Sequence, residues 1–342
     1  MSHKSFRERI DDYTDSVFAI IGFINLFRFD DKAKKMRDNI KVYQGRRMRT
    51  SSSNRISPDN DVTPDFCIYD TSNKGVVGEV KKAFPENRDY WMDDFQQLMS
   101  YDDNFLNWMT KTGTIDDHEI VLLAEQTRSQ AVKDYFEERK DKEILFTKNF
   151  VIVEFNRNDQ VKAFFFFRKM YGGFRLFPQI DTRLHEGVPV TIEKLMPHYE
   201  KIKLYDAKPP LPYLLHLIWE NVIMLRASQD EHFKTARKLT IEITIDEIME
   251  ELHRNYSFSQ LTADDDTYRP KIPLKPWIVE SMNALITFKL AKWKDRTTGE
   301  CIVYFKKFKE TLKTFIDFCN KSMLDTEMER KQLELFDLKK PI

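Results

Sequence analysis

The chain has 342 residues, and its 55 basic and 55 acidic side chains give a formal net charge of zero. This balance argues against a strongly basic protein that binds polyanions without specificity. No apolar run approaches the roughly 18 residues of a membrane span, and the N-terminus lacks the apolar core of a signal peptide. The three cysteines also lack metal-ligand spacing. We therefore expect a cytoplasmic protein with reduced thiols, no membrane association, and enough length for two domains.

Basic residues are concentrated in two segments despite the neutral total. Lys32 to Arg55 contains nine Lys or Arg against one acid, and Lys271 to Glu310 contains nine against four. A solvated surface is the commoner explanation of such runs. With one run in each expected domain, contact with a phosphate backbone becomes the favoured interpretation. The candidate nucleic-acid-binding residues are Arg46, Arg47, Arg49, Lys275, Lys292, Lys294 and Arg296.

The N-terminal half begins with a predicted helix and then a β-hairpin. Apolar residues at near-helical spacing predict a helix over about residues 4–27, followed by a polar, Ser-rich connector from Arg49 to Asn60. The hairpin consists of two short apolar strands, Pro64–Tyr69 and Gly75–Lys81, around the turn residues Asn73-Lys74-Gly75.

Further helices and strands alternate after the hairpin. The pattern predicts helices over Arg88–Trp108 and Ser129–Lys140, and strands at Glu119–Ala124, Phe150–Phe155 and Val161–Arg168. A Pro-rich connector over 176–209 then separates a first domain (1–175) from a second (210–325), and residues 326–342 form a charged tail.

The second domain has a distinct order of elements. We expect a helix at Tyr213–Leu225, a strand at Leu239–Ile243, and a helix that starts with the capping box Thr244–Glu247. A helix over Pro276–Phe288 and a hairpin, Phe288–Trp293 with Cys301–Phe305, follow. This order resembles that of winged-helix domains, which implies an α+β fold that contacts DNA or a partner protein.

The main candidate catalytic residues lie in the first hairpin. Asp65 opens its first strand, and Glu79 and Lys81 point to one face of the second, roughly 7 Å apart. This Asp…Glu-x-Lys arrangement resembles the PD-(D/E)XK nuclease superfamily, whose core also has the order helix, strands, helix, strand. The resemblance implies a mixed α/β, restriction-endonuclease-like first domain.

The resemblance also implies a metal site. Asp65, Glu79 and the carbonyl of Val80 would bind Mg²⁺, for which Mn²⁺ would substitute, and Lys81 would assist the attacking water. Glu8 in the first helix is a further candidate ligand. Three nearby acids are alternative ligands: Asp59, Asp61 and Asp70.

Gln97 and Tyr101 add a second motif on the following helix. Their spacing resembles the Gln-x-x-x-Tyr element of RecB-type nucleases, which implies that Gln97 orients substrate or water and that Tyr101 contacts a phosphate. The alternative is that Tyr101 packs its ring in the core.

We expect a Mg²⁺-dependent DNA endonuclease that hydrolyses phosphodiester bonds in restriction, anti-phage defence or mobile-element processing. Its partners would be double-stranded DNA and a second copy or partner protein, and RNA stays open as a substrate. One alternative is the end-cleaving nuclease subunit of a heteromeric transposase, which the domain order also resembles. Another is a DNA-binding regulator that keeps the fold without turnover. Glu-x-Lys or Asp-x-Lys recurs elsewhere, as in Glu138–Lys140, so an ordinary hairpin with surface charges is a third interpretation.

Overall fold

A computed structural model describes most of the chain. The described residues are 5–30, 35–36, 39–44, 62–82, 84, 87–105, 108–110, 113–115, 117–158, 164–191, 208–233, 238–256, 273–306 and 314–322. They divide into two compact units: described residues 14–191 form one, and residues 5–13 with 208–322 form the other. Both are built from helices and β-sheet, so the protein has a mixed α/β fold.

A seven-stranded sheet forms the centre of the larger unit. Its strands are β1 (Ile40–Gln44), β2 (Phe66–Asp70), β3 (Lys74–Lys81), β4 (Asp117–Glu125), β5 (Phe150–Asn158), β6 (Phe164–Tyr171) and β7 (Val188–Thr191). They lie side by side in chain order. The three central strands, β3, β4 and β5, are parallel, while both outer groups pair antiparallel. The carboxyl ends of the parallel strands therefore meet at one edge.

One face of this sheet packs against the first helix, α1 (Phe6–Arg28). Its apolar residues recur at helical spacing, and Phe23 contacts the rings of Phe66 and Phe167 at centroid distances of 5.5 and 6.1 Å. The predicted helix at residues 4–27 is confirmed. Burial of this aromatic surface supplies much of the energy that holds the helix on the sheet.

The opposite face carries two helices, α2 (Trp91–Met99) and α3 (Gln126–Arg139). Their rings pack together over the parallel strands: Phe95 stacks on Tyr135 and Phe136, and Phe136 lies 4.9 Å from Phe150 between ring centroids. Each helix connects two parallel strands, which is the usual role of a crossover helix.

The segment after β6 differs from its prediction as a connector. Within 176–209 the structure has helix α4 (Pro178–Glu186) and strand β7, which pairs with β6 at the edge of the sheet. Pro178 starts the helix, where its missing N–H costs nothing, and Pro189 lies in an edge strand, which tolerates proline. Proline is typical of linkers, but Pro178 marks the start of a helix and Pro189 lies in an edge strand.

The described part of the smaller unit contains several helices, including one over residues 314–322, and a three-stranded antiparallel sheet. The helices include α5 (Leu211–Ile218), which continues through a π-helical turn (Trp219–Ile223) into α6 (Met224–Ser228), then α7 (Ile245–Tyr256) and α8 (Lys275–Thr287). The strands β8 (Lys238–Thr244), β9 (Ala291–Asp295) and β10 (Glu300–Lys306) pair in the order β8-β10-β9. The helices and strands predicted between residues 213 and 305 are all present within a few residues, and the charged tail over 326–342 lies outside the described residues.

Local sequence signals explain two boundaries in this unit. Thr244 and Glu247 form the predicted capping box: Thr244 N donates to Glu247 Oε2 at 2.7 Å, and Glu247 N donates to Thr244 Oγ1 at 3.1 Å. Gly299 closes the β9–β10 turn at a φ of 76°, a left-handed conformation that glycine adopts at little cost.

The first residues of the chain belong to this smaller unit, which the predicted boundaries did not anticipate. The Phe6 N–H donates to Asn320 Oδ1 at 3.1 Å, and the Tyr13 and Tyr213 rings are 4.3 Å apart. Such contacts between distant residues carry no local signal in the sequence. None of the helices in the described part of the chain is long and apolar enough to cross a membrane.

Candidate active site

The hairpin that carries the candidate site is fixed by its turn. Asp70 ends β2, and its Oδ1 accepts hydrogen bonds from the N–H groups of Ser72 and Lys74 at 2.9 and 3.1 Å. Asn73 adopts a φ of 60°, which Asn tolerates better than most residues. Asp70, an alternative acid in the sequence, therefore stabilises the turn at the end of the hairpin remote from Asp65.

The pairing of β2 with β3 determines which side chains meet. Its pairs run from Tyr69 with Gly75 to Phe66 with Gly78, so the next position brings Asp65 opposite Glu79. Residues opposite each other point to the same face, and Lys81 shares that face because it is two residues further along. The predicted cluster of Asp65, Glu79 and Lys81 is therefore formed by the register.

Gly78 is required for this close approach. A Cβ at position 78 would clash with the ring of Phe66, which is fully buried. Glycine thus leaves room for the Phe66 ring at the pair of β2 and β3 that is next to Asp65 and Glu79. The sequence contained this signal as a glycine inside an apolar strand.

The Asp65 side chain accepts a backbone hydrogen bond from β3 where the ladder with β2 has ended. Its Oδ2 accepts the Val80 N–H at 2.8 Å, beyond the last ladder pair. The N–H and C=O of one strand residue point to the same side, so the Val80 carbonyl faces the side on which Asp65 lies. This is the geometry that a backbone ligand at Val80 would need.

Glu79 is buried, with 3% of its surface exposed. Tyr101 donates a short hydrogen bond from its hydroxyl to Glu79 Oε1, and the Asp65 carboxyl lies within hydrogen-bonding contact. Burial raises the pKa of Glu79, while Lys81, the Tyr101 hydroxyl and Asp65 act in the lowering direction. Two carboxyl groups in contact, one of them buried, favour a shared proton or a nearby positive charge, and Lys81 is one such charge.

Lys81 is held by α2. Its Nζ lies 3.0 Å from Gln97 Oε1 and 2.9 Å from Asp94 Oδ1. The pKa of Lys81 is raised: burial opposes the charged form, but Glu79 and Asp94 outweigh it. Lys81 is therefore a fixed ammonium group.

Gln97 and Tyr101 belong to the same hydrogen-bond network. Gln97 Nε2 donates to the Tyr101 hydroxyl at 3.1 Å, so the contacts run from Asp94 through Lys81, Gln97 and Tyr101 to Glu79. The ring of Tyr101 is fully buried, and burial raises the pKa of its hydroxyl further above the usual value. Tyr101 therefore packs its ring in the core, one of the two alternatives from the sequence, and its hydroxyl also orients Glu79. A contact of Tyr101 with a phosphate stays a prediction.

The predicted helix over Arg88–Trp108 is shorter than expected. Helix α2 ends at Met99, and Tyr101 lies in the turn that follows, its N–H donating to Leu98 O at 3.0 Å. His118 fixes this turn, because its Nε2 donates to the Tyr101 carbonyl oxygen at 2.8 Å. Asp94 and His118 thus contribute to the site, although neither was predicted to do so.

The donor set of the site fits a magnesium ion. Asp65, Glu79 and the Val80 carbonyl are hard oxygen donors, which Mg²⁺ prefers, and one or two carboxylates suffice because the ion keeps several waters. The contact between two carboxyl groups is itself relieved by a bound cation. Within the described residues, no group of three or more His, Cys, Asp or Glu side chains has metal-ligand spacing.

Glu8, the further candidate ligand, has a local structural role. Ser5 N donates to Glu8 Oε2 at 2.6 Å, and Glu8 N donates to Ser5 Oγ at 3.2 Å, which is a capping box at the start of α1. Glu8 also belongs to the smaller unit, whereas Asp65 and Glu79 belong to the larger one. The alternative acids Asp59 and Asp61 lie outside the described residues.

The predicted nucleic-acid contacts lie only in part within the described residues. Arg46, Arg47 and Arg49 lie outside the described residues. In the smaller unit, Lys275 pairs with Asp246 at 2.8 Å, and Lys294 pairs with Glu242 at 2.7 Å and lies 3.8 Å from Glu300. Lys292 and Arg296 are exposed on β9 and in the turn after it.

No family model and no curated protein matches the sequence. Inferences about function therefore depend on the geometry of the hairpin and on the resemblance of its motif.

Proposed function

We propose that the larger unit is a PD-(D/E)XK-like, Mg²⁺-dependent endonuclease domain that hydrolyses phosphodiester bonds in DNA. The observation that carries this proposal is the register of β2 with β3, which brings Asp65 opposite Glu79 with Lys81 on the same face. The order of the elements supports this proposal, because that superfamily has the same core order: helix α1, three antiparallel strands, helix α2 and a parallel strand.

Asp65, Glu79 and the Val80 carbonyl would hold the metal ion. When bound, Mg²⁺ supplies Lewis-acid polarisation of the phosphate and stabilises negative charge on its oxygens. The Val80 N–H keeps Asp65 oriented, and the Tyr101 hydroxyl does the same for Glu79. Hydrogen bonds of this kind to metal-binding carboxylates commonly matter nearly as much as the carboxylates themselves.

Lys81 provides a positive charge beside the phosphate. Its ammonium group donates to a phosphate oxygen or to the attacking water and offsets the charge that builds up in the pentacovalent transition state. Since Glu79 and Asp94 keep Lys81 protonated, we do not assign it as the general base. Gln97 holds Lys81 in position and links it to Tyr101.

The smaller unit is proposed to be a winged-helix-like domain that contacts DNA or a partner protein. Its support is the order of its elements and a sheet in which β10 lies between β8 and β9. Helix α8 buries Trp277, Ile278, Met282 and Leu285, which leaves few polar positions for reading bases. Contacts to the phosphate backbone by Lys292 and Arg296 suit this surface better.

The proposal is tested by incubating the full chain with plasmid DNA and Mg²⁺ or Mn²⁺, with EDTA as the metal-free control. Cleavage should require the metal and disappear in Glu79→Gln. The matched control is Glu119→Gln, because Glu119 is a buried acid of the same sheet whose pKa is also raised by burial. If Glu79→Gln cuts at the wild-type rate, the hairpin is not the active site. Replacing the plasmid with single-stranded RNA tests the other substrate.

A further inference from the structure

Four side chains form a single row across the larger sheet. Lys81 on β3 is in register with Ala124 on β4, Ala124 with Glu154 on β5, and Glu154 with Arg168 on β6. Residues in register share a face of the sheet, so Arg168 lies on the same face as the candidate active site. Three strand spacings place it about 14 Å from Lys81.

Arg168 is held by a buried carboxylate. Its Nε and Nη2 lie 2.8 and 2.7 Å from Glu154 Oε1. The other carboxylate oxygen accepts a hydrogen bond from Ser129 Oγ, in the first turns of α3, at 2.8 Å. The Glu154 side chain is 3% exposed, whereas that of Arg168 is 49% exposed. The acid is fixed below the surface, and the guanidinium group reaches the solvent.

This arrangement is poorly explained by stability alone. A buried ion pair often stabilises a fold no more than apolar side chains of similar size would. Its clearest effect is to orient the guanidinium group, which has five N–H donors in a rigid fork. Nε and Nη2 each use one N–H on Glu154, so three of the five donors remain for another partner. Such a fork is suited to binding phosphate oxygens.

We propose that Arg168 binds a backbone phosphate of duplex DNA at a second contact point, with Glu154 and Ser129 as positioning residues. This inference rests on the proposed function, since it takes Lys81 as the position of the phosphate that is cleaved. A duplex rises about 3.4 Å per base pair, so the spacing between Lys81 and Arg168 covers about four base pairs. Arg168 anchors the duplex beside the catalytic site.

The decisive variant is Glu154→Gln/Arg168→Gln, which replaces the ion pair by two neutral side chains. The net charge is unchanged, so any loss of DNA binding reports the lost contact and not a change in the overall field of the protein. We expect duplex affinity, measured with Ca²⁺ in place of Mg²⁺, to weaken on the order of 10-fold. The slope of log affinity against log salt concentration should become shallower by about the amount that one phosphate contact contributes. The single-turnover rate at saturating DNA should stay within about two-fold of the wild-type rate, because the contact is made equally before and in the transition state.

Two further variants keep the test clear. Arg168→Lys retains the charge without the fork, so it should keep the salt slope and lose about three-fold in affinity. It also serves if the double variant does not fold, which thermal unfolding would reveal. Arg139→Gln is the matched control: Arg139 ends α3 and pairs with Glu138 and Glu143, so its loss should leave duplex affinity unchanged.

The outcomes separate this inference from the proposed nuclease function. If wild-type protein cuts DNA and the double variant binds with unchanged affinity and salt slope, the phosphate contact at Arg168 is wrong and the nuclease proposal stands. If wild-type protein binds but does not cut, and the double variant loses the contact, Arg168 is a DNA-binding residue of a non-catalytic protein. If wild-type protein does not bind duplex DNA, both proposals are overturned.

Discussion

Asp65 lies opposite Glu79, one position beyond the last pair of the β2–β3 ladder, and its carboxylate accepts the N–H of the neighbouring residue, Val80. The pairing that shapes the hairpin therefore also brings the two acids into contact. Glu79 is buried at this point, so a shared proton or a positive charge close by, such as Lys81 or a metal ion, favours the contact. The same relationship leads to the first prediction.

Replacing either acid should remove metal binding without unfolding the protein. We expect Asp65→Asn and Glu79→Gln to weaken Mn²⁺ binding, measured by isothermal titration, by more than about 100-fold, with cleavage lost in parallel. The amide oxygens can still accept the hydrogen bonds from Val80 and Tyr101, so the midpoint of thermal unfolding without metal should not fall. Wild-type Mn²⁺ affinity in both variants would remove the metal site from consideration.

Lys81→Ala should separate binding from catalysis. Metal affinity should be kept or rise slightly, because a positive charge near the metal is removed, and DNA binding should largely persist. The single-turnover cleavage rate should fall by about 100- to 1,000-fold, the cost of losing one charge stabiliser of the transition state. Lys82→Ala is the control, since Lys82 is the next residue but pairs with Asp15. Equal losses in the two variants would argue against a specific role for Lys81.

Tyr101→Phe tests whether the orientation of Glu79 matters. The variant keeps the buried ring and removes only the hydroxyl that donates to Glu79 and accepts from Gln97. Stability should decrease by about 1 to 3 kcal/mol, while Mn²⁺ affinity and cleavage should fall by about 10- to 100-fold. If calorimetry and cleavage assays show wild-type values, Tyr101 contributes packing alone.

Acidification should destabilise the larger unit through His118. Burial lowers the pKa of His118 to about 4, against about 6.5 in an unfolded chain. Between these values the unfolded state binds the additional proton, so stability is complete above about pH 6.5 and decreases as the pH falls towards 4, by about 3 kcal/mol. Urea denaturation at pH 7.5 and 5 should show this loss in the wild type and less of it in His118→Gln, which keeps a donor for the Tyr101 carbonyl. Equal pH dependence in both proteins would contradict the assignment.

The basic segment around Arg46 is predicted to contact the phosphate backbone. Changing Arg46, Arg47 and Arg49 to Glu should weaken binding to all DNA sequences alike. The slope of log affinity against log salt concentration should become shallower by the amount that up to about three phosphate contacts contribute. The Arg139→Gln variant again serves as a control. Unchanged fluorescence-anisotropy titrations at several salt concentrations would assign the segment to ordinary solvated surface.

The hairpin shows how far sequence reasoning extended. Turn residues, alternating strand faces and the acid before the first strand predicted the cluster of Asp65, Glu79 and Lys81, because hairpin register follows from local geometry. The positions of Gln97 and Tyr101 near the site were also predicted, but the end of α2 before Tyr101 was not. That end depends on His118, which is 17 residues further along and lies beside the turn only in the folded chain.

The role of Asp94 was missed for a similar reason. In the sequence Asp94 is one of two adjacent acids in a helix, and only the packing of α2 on the sheet brings it to Lys81. The structure gives Glu8 a local role that the sequence analysis did not include, because its carboxylate accepts the Ser5 N–H in a capping box at the start of α1, and its binding to a metal stays a prediction. Prolines in 178–189 were misread because the same residue type marks linkers, helix starts and edge strands.

The sequence by itself determined the local features of this protein: helix periodicity, the capping box at Thr244, the turn at Asn73, and the face shared by Glu79 and Lys81. Each depends on residues within a few positions of one another, where backbone stereochemistry is decisive. Only the tertiary structure decided that Glu79 is buried beside Asp65 and that Lys81 is held by Asp94 and Gln97. It also decided that Arg168 lies in the same row of the sheet as Lys81. These relationships depend on packing and strand register between residues far apart in the chain. The hydrogen bonds and buried contacts that stabilise them form only when the whole sheet has formed.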